Sequence, residues 1–396
     1  MLLASLLMPI AVALVVFLTQ RLRLPAFLAL MATVVVYGVA ANMKFESIGV
    51  AFGQGFATAM EQTGLLVVAG SLVAGLALRA PLGTGSSALF GAVAGLSGAA
   101  AGATALLQGA GQDAPRRGLG LALTVLVFSA LVAPSPLAVA ATSILKADHA
   151  TTWLVSLPVA MLMAIVGWWH VARQTPRGEV AGRLELGWLA VAAPVALLVV
   201  QAIARMPQAP IGGGSLFELY MGLGTPLVVA AVAVTLGVVL AGGWRPSALA
   251  TRAWAPLLLA VGAAGGLSRV LDETGMATVL ADKVLSPRFG LLTPFLVAAV
   301  VKTMQGNSLT AVLTASGMVE PLLPGLGLEG PTGRSLAMAS VCAGSIAICH
   351  LNDPLFWIAA AMGRLTPGRA LVVISLGSAA MSLTGLAMLA AVRQFL

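Results

Sequence analysis

The sequence predicts an all-α polytopic membrane protein with two inverted repeats, each containing a re-entrant hairpin and a proline-broken transmembrane helix. Hydrophobic residues make up 59% of the 396 residues and charged residues 9%, against roughly 25% charged in ordinary soluble domains. Uncharged stretches long enough to cross a bilayer recur along the chain. Two of these stretches are interrupted by proline, one in each half of the sequence. At about 20 apolar residues per crossing, the chain can supply roughly ten to twelve crossings.

The N-terminal unit, residues 1–61, is predicted to hold a helix pair and a connector. Arg21 and Arg23 lie in the short loop between two apolar stretches, which places this loop in the cytoplasm. The first stretch has no basic start and no small-residue cleavage site, so we expect a retained helix rather than a signal peptide. Residues 42–61 carry one lysine and two glutamates, which is typical of an external, partly amphipathic connector.

The first inverted repeat is predicted over residues 62–173. Its hairpin, about residues 84–112, is uncharged and rich in glycine and alanine, with Arg79 before it and Arg116 after it. A re-entrant hairpin puts both ends in the cytoplasm, as these arginines require, whereas close packing of helices through small residues is the alternative. The broken helix, residues 118–146, is interrupted at Ala133-Pro134-Ser135-Pro136, because two prolines so close cannot sit in an unbroken helix.

Linking helices are predicted over residues 174–253, and the second repeat over residues 254–396. An acidic patch of Asp272, Glu273 and Asp282 places the loop before its hairpin outside the cell. The hairpin is expected at about 289–317 and the broken helix at 335–363, in the opposite orientation to the first repeat. Such inverted, interrupted helices are typical of a secondary transporter with its site at the midplane.

Four groups that avoid hydrocarbon lie together in the second broken helix: His350, Asn352, Asp353 and the backbone at Pro354. Pro354 lacks a backbone donor and disfavours helical geometry at Asp353. A bilayer tolerates such a break only where protein or a cavity surrounds it, so an ionisable group there indicates a functional site. A kinked helix capped by Asn352 or Asp353 is the alternative.

Neutral polar groups suited to hydroxyl-bearing ligands mark the predicted hairpin tips, namely Gln108, Gln305, Asn307 and Ser308. Lys302 is the one cation of the second hairpin. It is expected to pair with a substrate carboxylate or with Asp353, or else to extend towards the interface. Half-helix N-termini add sites that attract carboxylates.

Asp353 is the predicted proton-coupling residue, because a carboxyl group in a poorly solvated site can take up and release a proton near neutrality. His350 is a second candidate, although an isolated histidine is more often a core residue. The cysteines lack metal-ligand spacing. Walker, Gly-x-Ser-x-Gly and His-Glu-x-x-His patterns are missing from the sequence, so we expect no enzyme and no cofactor. The formal net charge of +8 is scattered among short loops, which argues against nucleic acid as a partner.

The segment Cys349-His-Leu-Asn-Asp-Pro-Leu-Phe-Trp357 resembles the Ser-His-Val-Asn-Asp-Pro-Gly-Phe-Trp signature of the gluconate permease (GntP) family, within the ion-transporter superfamily. Residues 133–148, 262–275 and 302–317 are similar to further segments of that family. The chain is identified as a short, divergent member. The resemblance implies proton-coupled symport of small hydroxycarboxylates such as gluconate, in the bacterial inner membrane, by a multi-pass homodimer. Site roles carry over to residues that match the family, namely Ser135, Lys302, Gly306, His350, Asn352 and Asp353.

The chain also departs from the family. Gly98-Ala-Ala-Ala-Gly-Ala-Thr104 stands in place of a Pro-Leu-Phe-Phe-Asp/Glu segment, Ser129 and Ser135 stand in place of histidines, and Lys302 replaces an arginine. We therefore expect the second repeat to supply the ionisable residues of the site. The first repeat is expected to contribute mainly the shape of the site and hydrogen bonds. A sodium-coupled organic-anion carrier, or a passive anion channel or exporter, stays open as an alternative.

Overall fold

The computed structural model describes residues 2–76, 84–108, 115–175, 189–207, 210, 212–244, 254–275 and 289–395. All regular structure in these residues is helical, which confirms an all-α protein. Five helices are long and apolar enough to cross a bilayer, or six when one bent pair counts as a single span, and four shorter apolar helices accompany them. The protein is thus a multi-pass membrane protein. The described residues contain fewer full-length spans than the ten to twelve crossings estimated from the length of the chain. Several apolar helices are shorter than a bilayer requires. Arg79 and Asp282 lie outside the described residues.

The N-terminal helix pair forms as predicted, and the expected connector after it is different. Helix α1 spans Leu2–Gln20, α2 Ala26–Ala40, α3 Phe45–Ala59 and α4 Leu65–Gly75, with a π-helical turn at Met60–Gly64 between the last two. Helices α3 and α4 form one continuous apolar helix through this turn. The residues expected to form an external connector are therefore mostly helical, and the expected boundary at residue 61 falls inside a helix. Between Phe45 and Gly75 the sequence has only two charged residues, so a helix over this stretch can lie in the membrane at little cost in charge desolvation.

The continuous helix makes two close backbone contacts, one on each side of the π-helical turn. A Cβ atom at Gly55 would overlap the carbonyl oxygen of Gly265, and one at Gly70 would overlap that of Ala105. Small residues at both places let the backbones approach each other closely.

The next five helices are α5 Thr84–Gly95, α6 Ala100–Leu106, α7 Pro115–Leu131, α8 Pro136–Ile144 and α9 His149–Gln174. The turn between α5 and α6 lies at residues 96–99, so the expected tip at Gln108 is wrong: Gln108 follows α6. Residues 109–112 of the expected hairpin lie outside the described part. The helix is broken at residues 132–135, as the two prolines predict, and the Ala133–Pro134 peptide is cis.

The linking region contains α10 Leu189–Ala204, α11 Ser215–Leu223 and α12 Pro226–Leu240. Helices α11 and α12 are bent by 59° relative to each other. Pro226 occupies the first helical position and Thr225 before it is extended, since proline disfavours helical geometry in the preceding residue.

The second half contains α13 Trp254–Glu273, α14 Leu292–Gln305, α15 Ser308–Val319, α16 Pro331–Gly344, α17 Pro354–Met362, α18 Pro367–Ala370 and α19 Leu376–Phe395. A second π-helical turn, Leu371–Ser375, joins α18 to α19. Helix α5 packs on α7 and α14 on α16, while α6 packs on α17 and α15 on α8. The two halves therefore interlock, and the ends of α14, α15 and α17 meet inside the bundle.

Candidate functional site

The turn between α14 and α15 consists of Gly306 and Asn307. Gly306 has a φ of +74°, a left-handed conformation that glycine adopts without steric cost. A Cβ atom there would lie 2.5 Å from Cγ of Asn352, so no larger side chain fits. Asn307 caps α15, its Oδ1 accepting a hydrogen bond from the backbone N–H of Leu309 at 2.9 Å. The chain thus reverses between two helices within two residues.

The second broken helix is non-helical from residue 345 to residue 353 and restarts at Pro354. Asp353 caps the new helix, with its Oδ1 accepting from the backbone N–H of Leu355 at 2.8 Å. Pro354 occupies the first helical position, where a missing N–H costs nothing. Asp353 therefore caps the helix, as the alternative interpretation of the sequence predicts, but capping uses only one of its two carboxylate oxygens.

The other oxygen of Asp353 forms an ion pair with Lys302. Nζ of Lys302 lies 2.5 Å from Oδ2 of Asp353 and also donates to the carbonyl oxygen of Gly306 at 2.9 Å. Only 1% of the Lys302 side chain and 9% of the Asp353 side chain are exposed. Lys302 therefore pairs with Asp353, as one of the predictions has it, and does not extend to an interface. Cys349 also contacts this oxygen, through Sγ at 3.3 Å.

His350 and Asn352 bind the last turn of α14 through its free carbonyl groups. Nε2 of His350 lies 2.8 Å from the carbonyl oxygen of Thr303. Nδ2 of Asn352 donates to the same oxygen at 3.3 Å and to that of Met304 at 3.2 Å. A helix leaves its last four carbonyls without helical partners, so these side chains complete the C-terminus of α14.

Gln305 connects the turn to α13. Its Nε2 donates to Oδ1 of Asp272 at 2.5 Å, and its carbonyl oxygen accepts from the hydroxyl of Ser268. Asp272 also pairs with Arg269 at 2.9 Å, and Arg269 with Glu273 at 2.6 Å. Asp272 was expected in an external acidic patch, and its contact with Gln305 was not predicted from the sequence. The signal was the spacing of Ser268 and Asp272, which are four residues apart and so share one helix face.

Ser308 adds a further link, because its hydroxyl donates to the carbonyl oxygen of Ser345 at 2.9 Å. The structure therefore brings all eight predicted site residues of the second half into one cluster around the α14–α15 turn. They are Lys302, Gln305, Gly306, Asn307, Ser308, His350, Asn352 and Asp353. Cys349, which was not among the predicted site residues, joins them through its contact with Asp353.

The first half presents an uncharged counterpart. Ser135 donates from its hydroxyl to the carbonyl oxygen of Ser129 and accepts from the N–H of Leu137 at 3.3 Å. Gly98 has a φ of +69° and packs against Pro136, so the α5–α6 turn lies on the break. Gln108 is elsewhere, since its Oε1 accepts from Ser71 at 3.4 Å. The structure does not bring Gln108 to the turn where it was predicted.

An exposed ion pair joins the two halves at one end of the bundle. Nζ of Lys146, just after α8, lies 2.7 Å from Oε1 of Glu320, just after α15. The hydrogen bond and charge of Lys146 hold the pKa of Glu320 below its usual value. Nearby, Asp148 caps α9, and its hydrogen bonds from Thr151 likewise lower its pKa.

In the part of the chain that the structure describes, no three histidine, cysteine, aspartate or glutamate side chains could hold a metal ion together. The cluster offers instead one buried cation with its carboxylate partner, surrounded by neutral polar groups. Such an arrangement can exchange one anionic partner of Lys302 for another.

Comparison with known proteins gives consistent results. Residues 182–395 match the family model described as GntP family permease. The high-affinity gluconate transporter of Escherichia coli (strain K12) is 27% identical over 208 residues, which cover 49% of this chain and 45% of that protein. The gluconate permease of Zymomonas mobilis is 28% identical over 180 residues, covering 42% and 38%. The Escherichia coli inner membrane permease YgbN is 26% identical over 278 residues, covering 61% and 60%. The chain spans about half the length of the curated relatives it matches. These relatives are named as permeases and transporters, not as enzymes.

Proposed function

The chain belongs to the GntP permease family, and from this premise we propose that it is a proton-coupled symporter of a small hydroxycarboxylate such as gluconate. The family model covers more than half of the sequence, including the whole cluster around the α14–α15 turn. One observation supports the coupling most directly. It is the buried ion pair of Lys302 with Asp353, formed where three helix ends meet.

The pair links substrate binding to proton binding. A substrate carboxylate that reaches Lys302 replaces Asp353 as the partner of the ammonium group. Asp353 is then a buried carboxylate without a cation, which is so costly that it is neutralised by a proton. Loss of the substrate restores the ion pair and releases the proton. Substrate and proton therefore bind together and leave together.

We further propose two inverted repeats that alternate access to this site. The reciprocal packing of α6 on α17 and of α15 on α8 supports the correspondence between the halves. Interrupted helices in corresponding positions are typical of transporters that expose a midplane site to each side in turn. The re-entrant hairpins are then α5–α6 and α14–α15, and the turn of each hairpin lies at the break of the broken helix in the same repeat.

The bacterial inner membrane is the proposed location, in agreement with the name of the relative YgbN. A homodimer is the proposed assembly, on the family resemblance alone.

Uptake by purified protein in liposomes tests the proposal. An inward proton gradient should drive accumulation of labelled gluconate, and a protonophore should abolish it. Uptake that requires sodium and stops when choline replaces it would instead make the protein a sodium-coupled carrier. Conductance or efflux without any ion gradient would make it a channel or exporter.

Asp353→Asn separates coupling from binding. We expect the variant to exchange gluconate across the membrane in counterflow, because Lys302 stays available to the carboxylate. It should not accumulate gluconate in response to a proton gradient. Unchanged proton-driven accumulation in this variant would remove Asp353 from the coupling role.

A further inference from the structure

Three buried atoms around the α14–α15 turn have no hydrogen-bond partner among the described residues. They are Oε1 of Gln305, Oδ1 of Asn352 and Nδ1 of His350. The three residues are 5%, 0% and 3% exposed. They are neighbours, because His350 and Asn352 bind the same carbonyl oxygen of Thr303. The Oδ1 atom of Asn352 also faces Gly306, directly after Gln305. Buried polar atoms are normally paired, so three together need an explanation.

The partners of these side chains fix which atoms donate and which accept. The amide of Asn352 contacts two backbone carbonyls, and that of Gln305 contacts a carboxylate. Carbonyl and carboxylate oxygens only accept, so in both amides the nitrogen must face the partner and the oxygen is left over. His350 likewise must donate from Nε2 to the carbonyl of Thr303. A neutral imidazole that donates from Nε2 has only a lone pair at Nδ1.

All three free atoms are therefore acceptors, and the group that satisfies them must supply hydrogen-bond donors. A carboxylate cannot, since it only accepts. A sodium ion suits two amide oxygens but prefers oxygen to an imidazole nitrogen, as hard cations do. Hydroxyl groups of an organic ligand supply three donors on neighbouring carbon atoms.

On the basis of the proposed function, we propose that Gln305, Asn352 and His350 form a hydroxyl-binding acceptor cluster, and that Asp272 is a positioning residue for it. The substrate carboxylate goes to Lys302 and its hydroxyl groups go to the acceptor cluster. Asp272 acts through Gln305: by accepting from Nε2, it keeps Oε1 as the free atom. Arg269 and Glu273 are the charged neighbours of Asp272 on the same helix.

The first test uses the unmodified protein and a series of gluconate analogues. Each analogue has one hydroxyl either removed or converted to a methyl ether, which keeps the oxygen but loses the donor. Competition against labelled gluconate uptake gives relative affinities. Removing a donor leaves a buried acceptor unpaired, so we expect roughly 10- to 100-fold weaker binding for deoxy and ether analogues alike at the positions that contact the cluster.

Equal affinity of gluconate and all of its analogues would overturn the inference while leaving proton-driven carboxylate uptake intact. If the protein takes up another carboxylate and gluconate does not compete with that uptake, the inference is overturned too. Thermal stabilisation by sodium chloride but not choline chloride, without any preference among the analogues, would make the cluster a cation site instead. Absence of proton-driven uptake of any carboxylate would fail the proposed function itself.

The second test examines Asp272. In Asp272→Asn the new amide can donate to Oε1 of Gln305, so Gln305 can turn its nitrogen towards the cluster. We expect the preference for gluconate over its ethers to fall at least several-fold, with the protein still folded by its melting temperature. Glu273→Gln is the matched control, because Glu273 contacts Arg269 but not Gln305, and it should keep the preference. An unchanged preference in Asp272→Asn would overturn the positioning role, and the analogue series decides the cluster if that variant does not fold.

Discussion

Replacing Asp353 with asparagine should lower the free energy of unfolding by about 3–5 kcal/mol, because the ammonium group of Lys302 would stay buried without its counterion. The asparagine can still cap α17, so the loss concerns the ion pair. At 2.5 Å and an effective dielectric constant of about 20, the attraction is about 7 kcal/mol. The desolvation of both groups offsets part of it. Both side chains are almost fully buried, so solvent screening is small.

Lys302→Met should cost a similar amount, because it leaves the carboxylate of Asp353 unpaired. The double variant Lys302→Met/Asp353→Asn leaves no buried charge, and we expect it to be more stable than the sum of the single effects by at least about 2 kcal/mol. Reversible urea unfolding in detergent micelles, monitored by circular dichroism, measures all three. Glu329→Gln, at an exposed carboxylate in the loop before α16, is the control and should change stability by less than about 0.5 kcal/mol. A loss below about 1 kcal/mol in Asp353→Asn, or strictly additive effects, would refute this account of the pair.

Two further predictions concern the turn and the exposed ion pair. Gly306→Ala should cost about 1–2 kcal/mol for its left-handed backbone, plus the overlap with Asn352, and should reduce gluconate uptake. Gly317→Ala, in a helix with nothing within 4 Å of the new methyl group, should be neutral or slightly stabilising, and equal melting temperatures for the two would contradict the steric argument. Because Lys146 lowers the pKa of Glu320, the stability from this pair is complete above the usual glutamate pKa, about 4.3, and is lost as the pH falls through the lowered value. The melting temperature should thus fall more steeply between about pH 5 and pH 3 in the unmodified protein than in Glu320→Gln, and parallel curves would exclude this contribution.

The sequence was informative where local chemistry determines the backbone. Pro354 and Pro136 mark helix starts that no tertiary contact could move, since proline fixes its own φ and disfavours helix in the preceding residue. The apolar, nearly uncharged composition around these prolines predicted helices that lie in a membrane. The position of Lys302 near Asp353 was one of several possibilities, because sequence gives no distance between residues 51 positions apart.

The sequence failed where burial and packing decide. The first turn forms at residues 96–99 and not at Gln108, because a segment made of glycine and alanine has many equally good places to reverse. Asp272 looked like a surface charge, and only the path of α13 beside the α14–α15 turn brings it to Gln305.

The π-helical turn at Met60–Gly64 determines the direction in which the long N-terminal helix presents its two packing faces. Gly55 lies before the turn and contacts α13, whereas Gly70 lies after it and contacts α6. A π-helical turn contains one residue more than an α-helical turn, so it offsets the two faces by about 100° relative to a regular α-helix. Deleting a single residue within this turn would restore an ordinary α-helix, yet Gly55 and Gly70 could no longer face Gly265 and Ala105 together. The number of residues between Gly55 and Gly70 is therefore fixed by the angle between the two packing faces, and not only by the thickness of the membrane.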